Sequence, residues 1–450
     1  MNLWYHHCTM NLVMIGTGYV GLTTGVGFAS LGHNVACVDV NAEKIAQLDM
    51  GKVPFYEPGV QDALTMVQEQ GKIVFTTDLK SVIGGADIIM LAVGTPSTRT
   101  GEANLSYLFS AAEQVGSLLD HEAVIVTKST VPVGTNRLVL ENVRKGMTEA
   151  GRAELTSLIN IVSLPEFLRE GTAFEDFHNP DRIVIGADDE IAAQTVAKLH
   201  EGLDAPHVIT RLESAELIKY AANALLATKI SFINEIANLA ERVGADVRDV
   251  AEGIGLDKRI GPHFLRAGVG YGGSCFPKDV SALAQLGGAK GYTFKLLSSV
   301  IEVNNRQREI FFKRILDELG GVKGRRIAVW GLAFKPDTDD IRESAGVDIA
   351  QRLHAHGADL VVYDPQAMEN TRRVLSDHVE FTTTAMDAAR GAEALIVLTE
   401  WPEFKEVSFE MLRENMVGQH IFDGRNHFAD MDLHKRGFCY QGVGLGSCAS

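Results

Sequence analysis

Cys275 has the setting of a nucleophile. It closes the run Gly268-Val269-Gly270-Tyr271-Gly272-Gly273-Ser274 and is followed by Phe276-Pro277-Lys278-Asp279. Four glycines let a backbone pass close to a bulky group, so the loop is expected to skirt a substrate. From Pro277 to Leu286 the pattern is helical, and Gly287 and Gly288 are expected to close the helix. Proline suits the first turn of a helix and glycine its end. A cysteine at such an N-terminus feels the partial positive charge of the exposed N–H groups, which favours thiolate over thiol. Asp279 falls in the first turn, placed to work beside the sulfur. A lone cysteine is more often an inert buried thiol, but the glycine run, Pro277 and Asp279 together favour covalent chemistry.

A second constellation suits a dinucleotide. The apolar run Leu12 to Ile15 leads into Gly16-Thr17-Gly18-Tyr19-Val20-Gly21, a helix-like segment follows, and a second apolar run, Val35 to Val38, ends at Asp39. Strand, G-x-G-x-x-G, helix, strand and acid form the pattern in which glycines admit a pyrophosphate to a helix N-terminus. Asp39 would accept hydrogen bonds from ribose hydroxyls and repel a 2′-phosphate, which favours NAD over NADP. An exposed aspartate after a plain strand-helix-strand turn is the bland alternative.

These groups need a frame. Strand-like runs end at Thr95, at Lys128-Ser129-Thr130 and at Leu164-Pro165-Glu166-Phe167-Leu168-Arg169-Glu170-Gly171, and ligands gather at the carboxyl ends of parallel strands. Glu166 and Glu170 would share a face if their loop is helical. Arg211 to Arg242 is a long apolar-rich helix in which Lys219 and Asn223 lie four residues apart. Past Gly320-Gly321 the strand-helix alternation restarts without the G-x-G-x-x-G. There Lys335, Arg342 and Arg425 fall in strand-end loops, placed for anionic groups. The fold class expected is α/β, with two Rossmann-like doubly wound domains joined by a central helical domain with a long spine helix. The boundaries are 10–205 for a dinucleotide domain, 206–318 for the helical domain and 319–440 for a second, ligand-binding domain.

The bulk composition narrows the partners. The chain has 450 residues, 46% apolar and 22% charged, with a net charge of −16. That is a globular composition long enough for two or three domains, and its acidity disfavours nucleic acid and anionic membranes. Cys8, Cys37, Cys275, Cys439 and Cys448 are scattered without metal-ligand spacing, which predicts free thiols in a reducing cytoplasm and no metal. No run approaches the roughly 20 apolar residues of a membrane span, and no signal-peptide pattern opens the chain. Met1 to Thr9 has the character of a leader ahead of Met10, and Leu445 to Ser450 that of a frayed tail.

The residues from Met10 to about Gly437 resemble the nucleotide-sugar dehydrogenases, and among them those acting on UDP-glucose. The resemblance rests on Gly16 to Gly21, Lys128 to Thr135, Pro165 to Gly171, Lys219 with Asn223, Gly268 to Asp279, Gly331 to Pro336 with Arg342, and Asp423 to Arg425. It implies a four-electron oxidation of a UDP-sugar by two NAD, in homodimers or higher homo-oligomers. By position it implies Cys275 as nucleophile, Glu166 as acid/base group, and Lys219, Asn223, Thr130 and Asp279 around water and the developing oxyanion. Gly16, Thr17, Gly18, Tyr19, Val20, Gly21, Asp39, Lys44, Thr95, Thr130, Glu170, Lys278 and Arg342 would hold the cofactor. Glu166, Phe167, Leu168, Arg169, Glu170, Lys219, Asn223, Arg259 (reaching from a partner subunit), Phe264, Tyr271, Gly272, Lys335 and Arg425 would hold the substrate. Leu164 stands where the resemblance leads one to expect a small polar residue. Three competing functions are a sister enzyme with another sugar or base, a two-electron hydroxyacid dehydrogenase, and a non-catalytic NAD-sensing scaffold. The intact Cys275, Lys219, Asn223 and Asp279 oppose the scaffold.

Overall fold

Two parallel sheets organise the chain in the computed structural model, which describes residues 9–96, 98, 102–375 and 377–445. The expected leader and frayed tail therefore lie, apart from Thr9 and Leu445, outside the described residues. Residues 1–221 and 222–450 form two separate units.

In the first unit the strands are β1 (Asn11–Ile15), β2 (Asn34–Val38), β3 (Ile73–Thr76), β4 (Ile88–Leu91), β5 (Ala123–Thr127), β6 (Ile159–Ser163), β7 (Ile183–Ala187) and β8 (His207–Thr210). Their order is β3-β2-β1-β4-β5-β6-β7-β8. β1 has to be apolar on both faces. Leu12 and Met14 pack with Leu22, Val26 and Phe28 on one side, while Val13 and Ile15 pack with Leu108, Val115 and Val139 on the other. A strand covered on both sides by helices is a continuous apolar run, as the sequence shows. The chain reverses direction across the sheet at β1, between β2 and β4, so the β1 and β4 ends frame a crevice for ligands. One departure from a fully parallel sheet occurs: β6 and β7 pair antiparallel.

The second unit begins inside the long helix Leu212–Val243 and continues through helices Val247–Gly255, Phe276–Ala289 and Lys295–Leu319. Its sheet comprises β9 (Arg326–Trp330), β10 (Asp359–Tyr363), β11 (Glu380–Phe381), β12 (Ala394–Val397), β13 (His420–Asp423) and β14 (Cys439–Gly442), in the order β11-β10-β9-β12-β13-β14, all parallel. Gly287 and Gly288 do not close the helix after Cys275. The helix runs through both to Ala289, and Gly291, at φ +74°, makes the left-handed exit, with the Tyr292 N–H donating back to the Gly287 carbonyl. Cys37 and Cys275 are free thiols, whereas Cys439 is disulfide-bonded, against the expectation of free thiols throughout. Spacing along the chain does not say which sulfurs the fold brings together. No helix among the described residues is long and apolar enough to cross a membrane.

Candidate active site

The glycines of the first turn divide by cause. A Cβ on Gly16, at φ +98°, would lie 2.7 Å from the Ala92 carbonyl oxygen, and one on Gly21 would lie 2.0 Å from that of Gly16. Both are required by the protein's own packing. Gly18 is not: its φ is −71°, and a Cβ there meets nothing within 4 Å. It caps the Tyr19–Ser30 helix without any side-chain hydrogen bond to the first N–H groups. An open cradle at an uncapped helix N-terminus fits a pyrophosphate.

Asp39 lies beside this cradle. Its Oδ2 accepts from the Thr17 N–H (2.9 Å), the Thr17 hydroxyl (2.8 Å) and Lys44 Nζ (2.9 Å), and its Oδ1 from the Asn41 N–H. Burial opposes its charge, but Lys44 and these donors outweigh burial and hold the carboxyl down at about 2. Oδ1 keeps acceptor capacity for a ribose hydroxyl. The residues present therefore fit NAD. Val20 lies in the first helical turn, and the Thr95 hydroxyl donates to the Thr130 carbonyl (2.9 Å), joining the β4 and β5 ends.

The loop after β6 is not helical, so Glu166 and Glu170 do not share a helix face. Another carboxylate explains this. Glu57 accepts from the N–H groups of Gly171 (2.6 Å) and Ala173 (2.7 Å), and the Tyr19 hydroxyl donates to it as well. These bonds fix where the Ala173–His178 helix can start. Glu166 is buried at 5% exposure and pairs with Lys219, equally buried, at 2.9 Å. Its Oε2 also accepts from the Leu168 N–H (2.7 Å). Burial pushes the Glu166 carboxyl up, but Lys219, the Leu168 N–H and Lys128 override it and hold it below the usual carboxylate range. Leu164 is buried and donates its N–H to Thr127, continuing the pairing of β6 with β5. Phe167 stacks under the Arg182 guanidinium at 3.6 Å, while Arg169 pairs with Asp176.

In the second unit Cys275 is half-buried and caps the Phe276–Ala289 helix, with Pro277 in the first turn. Its sulfur lies 3.5 Å from the Ser274 hydroxyl. Asp279, wholly buried one turn on, accepts from Asn223 Nδ2 (2.6 Å) and Lys278 Nζ (2.7 Å). The glycines before Cys275 have a different cause from the one expected. Cβ atoms would strike the Gly424 carbonyl at Gly268, Asn304 at Gly270, the Glu343 carbonyl at Gly272 and the Phe334 ring at Gly273, all within 2.8 Å. The loop hugs its own unit, and that alone demands glycine. Phe264, at φ +63°, is among the few non-glycine residues with a left-handed backbone. Tyr271 is buried, with its hydroxyl pushed up to about 12 by burial.

The expected anion-binding cations are not equally free. Arg425 spends its guanidinium on the carbonyls of Leu398 (3.0 Å) and Phe334 (3.0 Å), which ties the loops after β12 and β9 together. Arg342 pairs with Asp340, and Arg259, on the surface at 89% exposure, pairs with Asp257. Lys335 Nζ lies over the Phe334 ring at 5.5 Å. Sequence reasoning missed the buried carboxylates that hold these loops. Glu216 accepts from the Gly134 and Asn136 N–H groups, and Asp423 from the Arg425 and Phe428 N–H groups and the Tyr440 hydroxyl. It also missed Lys128, buried at the end of β5. A charged residue at the end of an apolar strand or directly after it is a signal that would have singled out Asp364, Lys128 and Asp423.

Comparison with known proteins agrees with this layout. Residues 10–204 match the NAD binding domain of the UDP-glucose/GDP-mannose dehydrogenase family, 213–306 its central domain and 328–430 its UDP binding domain. A UDP-glucose 6-dehydrogenase of Bacillus subtilis is 47% identical over 96% of this chain and 93% of its own length. A UDP-glucose dehydrogenase structure from Pyrobaculum islandicum superposes with a TM-score of 0.90 at 40% identity, covering 98% of this chain and 99% of that one. A UDP-D-ManNAc dehydrogenase structure from Pyrococcus horikoshii gives 0.84 at 27% identity, covering 97% and 99%.

Proposed function

The chain belongs to the UDP-glucose/GDP-mannose dehydrogenase family, and from that premise we propose that it oxidises UDP-glucose to UDP-glucuronate through a bond to Cys275. It is an oxidoreductase whose cofactor is NAD. In the proposed reaction UDP-glucose, two NAD and water give UDP-glucuronate, two NADH and protons.

The chemistry explains why a cysteine and acids accompany a dinucleotide fold. NAD, when bound, supplies the hydride acceptor for each of the two oxidations. Taking an alcohol to an aldehyde requires loss of the hydroxyl proton, and Glu166, held as a carboxylate, accepts it through water. Going on to the acid requires a tetrahedral carbon that still carries hydrogen. The Cys275 thiolate creates one by adding to the aldehyde carbon, giving a thiohemiacetal, and loss of hydride from that carbon leaves a thioester. Water then cleaves the C–S bond, the acid departs and the thiol is regenerated. Lys219 stabilises the oxyanion electrostatically, and Asn223 and Asp279 order the polar groups around it. Thr130 contributes to the same water-binding set.

The observation that carries this reading is the position of Cys275, a reachable sulfur capping a helix one turn from a buried, hydrogen-bonded Asp279. The free thiols of Cys37 and Cys275 favour a reducing, cytoplasmic setting, and the disulfide at Cys439 counts against it. Leu225, Phe232 and Leu239, exposed at heptad spacing on the long helix, support a homodimer, and sedimentation as a single chain would oppose it. The proposed domains are 10–205, 206–318 and 319–440. The substrate is tested by measuring NADH formed with UDP-glucose, GDP-mannose and UDP-N-acetylmannosamine. Turnover is expected with UDP-glucose, and its absence there sinks the assignment.

A further inference from the structure

Lys128 directly follows β5, a strand interior to the first sheet, and is 8% exposed. Its own N–H donates to the Leu91 carbonyl (2.9 Å), and the next side chain, Ser129, donates to the Val93 carbonyl (2.6 Å), so the backbone here is fixed. Among the described residues its Nζ makes no direct hydrogen bond or ion pair. A buried lysine without a direct partner calls for an explanation, because burying an ammonium is costly. β5 and β6 pair with Thr127 beside Ser163, and the Leu164 N–H donates to the Thr127 carbonyl (3.0 Å), so Lys128 and Glu166 leave neighbouring strand ends. The charges acting on Lys128 are Glu166 and, from the long helix, Lys219, while Lys128 in turn acts on His200 at the end of the Glu190–Leu199 helix. His200 is neutral near pH 7: burial, and then Lys128, push it down to about 3. One buried carboxylate therefore sits with two cations.

We propose that Lys128 is a positioning residue for Glu166, its buried ammonium holding the Glu166 carboxylate in the ionised, proton-accepting form. This rests on Glu166 being the acid/base group. Lys219 is committed to Glu166 at 2.9 Å, whereas Lys128 acts on it without direct contact, through its charge. Burial and Lys219 push Lys128 down to about 8, with Glu166 pulling it back. It is thus still cationic near neutrality and gives up its proton as pH rises.

The test compares Lys128→Met, Lys128→Arg and Glu166→Gln by the pH profile of kcat/KM for UDP-glucose at saturating NAD, with thermal unfolding alongside. Lys128→Met should move the acidic limb up by about one pH unit or more, and Lys128→Arg, which keeps the charge, should leave it in place. A Lys128→Met enzyme whose limb is unmoved overturns the proposal, even if its unfolding temperature falls. If Lys128→Met does not fold, the wild-type enzyme still decides. The lysine 13Cε resonance missing in Lys128→Arg should change its shift across the acidic limb in the wild type and not in Glu166→Gln, and a resonance that behaves alike in both refutes the proposal. Glu166→Gln separates the two claims. If it keeps the wild-type acidic limb, the limb is not that of Glu166 and the acid/base reading fails. If it loses the limb while Lys128→Met does not move it, only the role of Lys128 fails.

Discussion

A cysteine sulfur needs access and a field that favours its anion before it can attack a carbonyl carbon, and Cys275 has both at its helix N-terminus. In the proposed mechanism Cys275→Ala removes the sulfur that holds the substrate carbon tetrahedral. UDP-glucuronate formation should fall by about 10³-fold or more while the fold stays intact, as read by chromatography of the sugar nucleotides. A yield like that of the unmodified protein contradicts the covalent step. Asp39 gives a pH-dependent test. Its folded value of about 2 lies below the roughly 3.9 of an unfolded aspartate, so its contribution is fully present above pH 4 and is lost as pH falls toward 2. Asp39→Asn should lower stability by about 1–2 kcal/mol at pH 7. The gap in urea midpoint from the wild type should narrow at pH 3, and a gap that is independent of pH contradicts the assignment. Cys275, Asp39, Glu166 and Lys219 are legible in the sequence because each sits in a patterned stretch. Glu57 and Glu216 are not, because nothing in their neighbours says that the side chain turns inward.

The same glycine-rich turn serves two masters at the scale of the element. Gly21 is held by the Gly16 carbonyl, whereas Gly18 faces open space. Gly21→Ala should therefore cost stability, about 1–3 kcal/mol. Gly18→Ala should leave the unfolding temperature unchanged and raise the KM for NAD about tenfold, equivalent to ~1.4 kcal/mol. Thermal melts with NAD titrations separate them, and a Gly18→Ala protein that binds NAD normally removes the cradle from the site. The opposite outcome holds before Cys275, where glycines expected to make room for a ligand make room for the protein. Sequence shows that a Cβ is absent but not what lies in its place. Gly287 and Gly288 mislead in a related way, since only the positive φ of Gly291 ends that helix. Most interior strands are legible as apolar runs. The strands that the pattern does not single out, β3, β8, β11 and β14, are the four edges of the two sheets. Edge strands are short or half-exposed, and their composition carries little signal.

Over the whole molecule, one topology is used twice for different ends. After β1 and β2, Asp39 takes the Thr17 N–H and keeps an open side, its side chain 11% exposed. After β9 and β10, Asp364 takes the Leu332 and Ala333 N–H groups, adds the Trp401 indole N–H and is sealed from solvent. No ribose can reach it, so the second sheet offers no dinucleotide acid. This physical difference underlies the echo without G-x-G-x-x-G that the sequence shows. In the proposed reaction the dinucleotide cradle found among the described residues serves both oxidations in turn. The direct measurement is NADH formed per UDP-glucose consumed, under limiting substrate and excess NAD, with the product identified as acid or aldehyde. The expected result is two NADH and UDP-glucuronate; one NADH, with an aldehyde as the product, contradicts it.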